Sequence, residues 1–199
     1  DDQGVFVSQE HGIGLGNTRL SIIDLSSFGH QPMSNKTKTL WITFNGEIYN
    51  FREVRSELQK RGRKFTSNSD TEVILEAYEE WGMESIARFR GMFAFALWDA
   101  RLGKLILCRD RAGVKPLYYY RKDGLLLFAS ELKALHRHPG FKKEINHEAL
   151  ALFLQFGYIP APHTIFQDTF KLQPGSYLEI DADGNINEAR YWDIASFYQ

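Results

Sequence analysis

Residues 92–109 constrain the fold more than any other stretch. They run Met-Phe-Ala-Phe-Ala-Leu-Trp-Asp-Ala, then Arg101-Leu102-Gly103, then Lys-Leu-Ile-Leu-Cys-Arg. Two apolar, strand-length segments joined by so short a link form a tight hairpin, and hairpin strands are antiparallel. The pattern recurs. Residues 117–120 and 125–130 read as two more strands, and beyond residue 160 short strands alternate with turns at Pro174-Gly175 and Asp183-Gly184. Residues 4–8 and 11–23 also read as strands. Helical patterns fall between these groups, so the expectation is layered α and β with antiparallel sheets and not a parallel doubly wound fold.

Residues 39–61 carry the candidate chemistry. Leu40, Ile42 and Phe44 alternate with Thr39, Trp41 and Thr43, which predicts a strand with one strongly apolar face. The strand is expected to break at Asn45-Gly46, the dipeptide that best tolerates positive φ. The chain then restarts as a helix at Asn50-Phe51-Arg52-Glu53, an Asn-x-x-Glu capping box. A short polar loop would hold the Asn45 side-chain amide, the Gly46 N–H and the Glu47 carboxylate close together. Asn45 and the Gly46 amide are candidate donors to a developing oxyanion. An ordinary β-turn with a favourable Asn-Gly pair accounts for the same residues.

Phe51, Val54 and Leu58 fall one turn apart, and Gly62 closes that helix. A second capping box, Ser69-Asp70-Thr71-Glu72, opens a helix with Val73, Ala77 and Trp81 on one face and Gly82 past its end. Asp70 sits in the first turn, where the macrodipole favours its ionised form; it reads as a plain capping carboxylate or as an anion for a substrate ammonium. The run Gly12-Ile13-Gly14-Leu15-Gly16 lacks the spacing and the following helix of a dinucleotide loop. Its glycines suit a strand packed closely against another backbone. Arg19 is either a solvated edge charge or an inward guanidinium awaiting a carboxylate. Cys108, apolar on both sides, reads as a buried, inert thiol. His136-x-His138 lacks a third ligand at a zinc-like spacing and reads as surface. Helices over residues 131–136 and, capped by Asn146, 147–155 complete the pattern.

Composition excludes several function classes. A chain of 199 residues with 43% hydrophobic and 14% aromatic content can bury a sizeable core. A formal charge of −1 with interspersed signs predicts no nucleic-acid partner. One cysteine rules out an internal disulfide framework and suits a reducing compartment. No apolar run reaches a membrane span and no signal-peptide layout is present, so a cytoplasmic protein without a membrane partner is expected. The chain starts without Met and stops after an aromatic-rich run at 191–198, which reads as a fragment cut at both ends.

Six motifs in series now point one way: Arg19-Leu20-Ser21-Ile22-Ile23-Asp24, Phe44-Asn45-Gly46-Glu47-Ile48-Tyr49-Asn50, Ser69-Asp70-Thr71-Glu72, Gly91-Met92-Phe93-Ala94-Phe95, the run from Arg109-Asp110-Arg111 through Lys115-Pro116-Leu117-Tyr118-Tyr119, and Phe128-Ala129-Ser130-Glu131-Leu132-Lys133-Ala134-Leu135. Together, and over nearly the whole chain, they resemble the glutaminase domain of glutamine-hydrolysing asparagine synthetases. That domain is a class II glutamine amidotransferase of the N-terminal-nucleophile hydrolase group. The resemblance implies an α+β, four-layer αββα sandwich of two antiparallel sheets, here with its first strand missing. It implies that residues 1–160 form the glutaminase domain and 161–199 its end and a linker toward a synthetase domain. It further implies that Arg19 clamps the glutamine α-carboxylate, that Asp70 and Glu47 hold its α-ammonium end, and that Asn45 with the Gly46 amide forms the oxyanion hole. The reaction implied is hydrolysis of the glutamine side-chain amide through a thioester, releasing ammonia.

One departure matters for activity. The family's nucleophile is an N-terminal cysteine that uses its own α-amine as base, and this sequence has none; Cys108 does not match that position. On the resemblance, nucleophile and first strand lie upstream, and the ATP- and magnesium-dependent synthetase domain lies beyond Gln199; the fragment itself calls for no cofactor and no metal. The final amide acceptor stays open between aspartate and another acid or sugar, as does a homodimer. The turn at residues 109–116 has no assignable role beyond its charge. A homologous module that only binds an amino acid or serves in assembly is the competing reading, since fold and binding residues can persist without chemistry.

Overall fold

A computed structural model of the chain describes all residues except 1, 21, 22, 25 and 199. Ser21 and Ile22, expected in a strand, lie outside the described residues. In chain order the elements are β1 (Asp2–Ser8), β2 (Ile13–Arg19), β3 (Met33–Ser34), β4 (Leu40–Ile48), α1 (Phe51–Lys60), α2 (Asp70–Trp81), β5 (Gly91–Asp99), β6 (Lys104–Arg109), β7 (Tyr118–Lys122), β8 (Leu125–Ala129), α3 (Leu132–Leu135), α4 (His147–Phe156), β9 (Thr169–Lys171), β10 (Ser176–Ile180) and β11 (Ile186–Arg190). The hairpin at residues 92–109 is β5–β6, and it sits at the centre of a six-stranded antiparallel sheet of order β11-β10-β6-β5-β4-β3.

Alternation along β5 explains the layers. Phe93, Phe95 and Leu97 point to one face, where Ile42, Phe44 and Ile48 of β4 meet Val54 and Leu58 of α1 and Val73, Ile74 and Ala77 of α2. Ala94, Ala96 and Trp98 point to the other face, against Leu15 of β2, Leu117, Leu172 and the partly buried Tyr119 and Phe128. That second layer has two separate pieces, the β1–β2 hairpin and a three-stranded β8-β7-β9 sheet. Phe6 of β1 stacks on Trp41 of β4 with ring centroids 4.0 Å apart, fastening the hairpin to the larger sheet. The outer face of β7–β8 is covered by a third cluster, Tyr120, Leu135 and Phe141, which brings in α3. Helices, sheet, sheet and a thin helical cover make the four layers. β9 joins the smaller sheet and β10–β11 the larger one.

Several local expectations are corrected. β4 does not break at Asn45-Gly46; it runs on to Ile48, paired with β5 throughout. Gly46 instead allows the two strands to approach, since a Cβ there would lie 2.1 Å from the Met92 carbonyl oxygen, and its φ is +150°. Asn50 precedes α1 but does not cap it; its side chain bonds Arg88 O and Arg90 N–H. Ser69 does cap α2 through Thr71 N–H, but Glu72 reaches Thr66 and Ser67, each by backbone N–H and hydroxyl, and not back to Ser69. Among the described residues nothing lies within 4 Å of a Cβ built on Gly14 or Gly16, and none of their backbones packs closely against that face of β2. His136 is not a surface residue; it is half-buried between the rings of Phe141 and Phe166.

Candidate active site

A cleft of about 750 Å³ opens where the two pieces of the second layer stand apart. Ala94 and Ala96 of β5 floor it, β2 contributes Gly14, Gly16 and Thr18 to one wall, and residues 126–129 of β8 form the other. Arg19, Asn45, Gly46, Glu47 and Asp70, the five residues singled out from the sequence, all line it. They come from the end of β2, the second half of β4 and the first turn of α2.

The outer edge of β4 supplies a donor. Residues 40, 44 and 48 turn their N–H groups away from β5. Leu40 donates to Asn35 Oδ1 (3.1 Å), Phe44 to Gln31 Oε1 (2.7 Å) and Ile48 to Asp70 Oδ2 (3.0 Å). Gly46 follows the same alternation. Its cross-strand partner Phe93 directs its N–H to Asp110 Oδ2 (3.2 Å) and its C=O to Asp110 N–H (2.7 Å), toward β6. The Gly46 N–H therefore faces the cleft between two neighbours that are already satisfied. The Asn45 side chain lies on the cleft face of the same strand, and its Nδ2 donates to Ser130 Oγ at 3.2 Å.

Charge is divided across the cleft. Arg19 is half-buried, and its guanidinium lies close over Gly29, so a side chain there would push the guanidinium aside. Its Nη2 donates to the Asp24 carbonyl, and among the described residues no carboxylate pairs with it. Asp24 is itself buried, its carboxylate accepting from Ser26 N–H, Ser26 Oγ and Asn68 N–H; the Ser26 hydroxyl is the largest influence holding its pKa low. The segment behind Arg19 is thereby tied to the loop before α2.

Asp70 is 4% exposed. Burial raises its pKa, with the Glu47 charge adding to the rise, against the opposing pull of N–H bonds from Ile48 and Thr71. The helix N-terminus favours the ionised form, as expected from the sequence, but burial acts in the opposite direction and is the largest influence on Asp70. Two carboxyl groups, Asp70 and Glu47, thus line one part of the cleft, and Asp70 is disfavoured as an anion.

Structure also explains the turn at 109–116. Asp110, fully buried, accepts from Phe93, Ala112, Val114 and Lys115 N–H groups, and Arg109 donates to the carbonyls of Gly113, Lys115 and Leu172. It is a structural knot that fixes the floor of the site. Cys108 is 0% exposed and burial pushes its thiol pKa well up, so it is no nucleophile. Ser130, Lys115 and Gln31 also line the cleft; Ser130 and Lys115 lie in motifs that gave them no role, and Gln31 is marked by its bonds with Asn17 and Phe44. Among the described residues no group of three or more His, Cys, Asp or Glu is placed to hold a metal ion, and no helix is long and apolar enough to cross a membrane.

Two antiparallel sheets between helical layers, with a polar cleft at their junction, define an N-terminal-nucleophile hydrolase fold of the class II amidotransferase type. The same fold is seen in glutamine phosphoribosylpyrophosphate amidotransferase from B. subtilis, at a TM-score of 0.63 and 20% identity over 90% of this chain and 35% of that one. A family profile described as glutamine amidotransferase domain matches residues 1–192. The chain belongs to that family. It is 42% identical to asparagine synthetase [glutamine-hydrolyzing] 1 of Bacillus subtilis, over 96% of this chain and 30% of that protein. It is 37% identical to putative asparagine synthetase [glutamine-hydrolyzing] 2 of Methanocaldococcus jannaschii, over 99% of this chain and 41% of that protein. The chain thus spans less than half the length of these relatives.

Proposed function

We propose that this domain binds glutamine and hydrolyses its side-chain amide, delivering ammonia to an ATP- and magnesium-dependent synthetase domain of a longer protein. The observation that carries the proposal is the placement of Asn45 and Gly46 together on the cleft, one offering a side-chain amide and the other an N–H on the outer edge of β4. Arg19 then takes the α-carboxylate through its fork, and Asp70 with Glu47 takes the α-ammonium, whose charge offsets the cost of ionising Asp70. A nucleophile has to approach along the slot between β2 and β8. Both are edge strands, so an extended segment seated there pairs with each and brings its end to Asn45 and Gly46. With aspartate as acceptor the product is asparagine, the reading that the names of the relatives favour.

The test uses the full-length protein. Arg19→Ala is expected to abolish glutamine-dependent synthesis while sparing synthesis from free ammonia, which does not use this clamp. A parallel fall of both activities makes Arg19 structural and removes the clamp.

A further inference from the structure

A hydrogen bond crosses the cleft from the larger sheet to the end of β8, and it involves the proposed oxyanion donor. Asn45 Nδ2, on β4, donates to Ser130 Oγ at 3.2 Å across 85 residues of sequence. We infer that Ser130 is a positioning residue, whose hydroxyl sets the orientation of the Asn45 amide for the amide-hydrolysis step; this rests on the glutamine reading above. An amide nitrogen carries two hydrogens. Ser130 takes one, which fixes the plane of the amide and leaves the second for an oxyanion beside the Gly46 N–H. Released from that partner, the amide can turn and present Oδ1, an acceptor that repels the developing charge.

Ser130 is well placed to hold it. The residue before it, Ala129, is paired with Tyr118 in the smaller sheet. The residue after it, Glu131, starts α3 by accepting from Ala134 N–H at 3.1 Å. Leu132 and Leu135 of that helix pack into the third cluster. Strand end and helix start therefore clamp the serine backbone, and its side chain reaches Asn45 without a long, rotamer-rich stem.

Steady-state kinetics on the full-length protein and side-chain amide NMR on this chain test the inference together. Ser130→Ala is expected to lower kcat for glutamine about tenfold, with KM within about twofold, because a misaligned donor is felt at the charged intermediate more than at the ground-state carbonyl. Ser130→Thr, which keeps the hydroxyl, restores most of the rate. The Asn45 side-chain amide resonances should move in Ser130→Ala and stay in Ser130→Thr. As control, Asn45→Ala should lower kcat by about 10²–10³-fold. If Asn45→Ala costs that much while Ser130→Ala leaves rate and resonances unchanged, the role of Ser130 is overturned alone. If Asn45→Ala leaves kcat at the wild-type value, the oxyanion assignment falls and this inference with it.

Discussion

Asp70 holds a tension between stability and binding. Burial raises its folded-state pKa above the unfolded value of about 3.9. The sign follows from linkage: the buried carboxyl favours the fold while protonated, below the unfolded pKa, and that contribution is lost as pH rises through the raised folded value. Wherever Asp70 is ionised without a ligand, the group therefore works against the fold. Asp70→Asn, which keeps an acceptor for Ile48 N–H, is expected to raise Tm at pH 7 by about 2–4 °C, the shift that about 1 kcal/mol gives in a domain of this size. The gain should vanish toward pH 3, and the same variant should bind glutamine weakly because its ammonium loses a partner. Thermal melts from pH 3 to 8, with and without glutamine, check both halves. An unchanged melt across that range shows that Asp70 is not under strain.

Among the elements, β4 shows where local sequence stops being informative. Apolar alternation up to Phe44 announced the strand, but Asn45-Gly46 has the composition of a turn. Pairing with β5 overrides that propensity, since Gly46 lies flat against Phe93 where a larger residue cannot. Gly46→Ala places a Cβ 2.1 Å from Met92 O, a backbone atom with no freedom to yield. A loss of about 1–3 kcal/mol from overpacking is expected, read as a lower urea midpoint at unchanged m. If the midpoint holds, β4 and β5 are farther apart than they look. Asn50 failed as a cap for the same kind of reason: its amide is drawn to Arg88 O and Arg90 N–H, 38 and 40 residues away. The five candidate residues could be picked from the sequence because each sits in a motif at the end of an element or close to it, and the fold brings them to one cleft. Ser130 lay within a motif too, yet its role depends on a contact 85 residues distant, and no local pattern encodes that. The hairpins were the easiest part, because their partners are neighbours in sequence.

Across the whole molecule, two surfaces stand out among the described residues. α4 buries only Ala149, while Phe153, Leu154 and Phe156 and the following Tyr158 are 47, 76, 53 and 62% exposed. An apolar helix so placed is expected to favour association. Leu154→Lys with Phe156→Ser should raise the concentration at which the chain remains monodisperse by light scattering, with stability changed by less than about 0.5 kcal/mol. Equal association in wild type and variant excludes α4 as the contact.

The second surface is the slot between β2 and β8. Its two rims belong to separate pieces of sheet, and Asn45 and Ser130 approach from opposite layers. On the reading proposed above, β4 alone carries both donors, but the Asn45 amide is held in place only while the facing layer brings Ser130 against it. The contact then works as an interlock, tying the release of ammonia to a chain whose layers have closed.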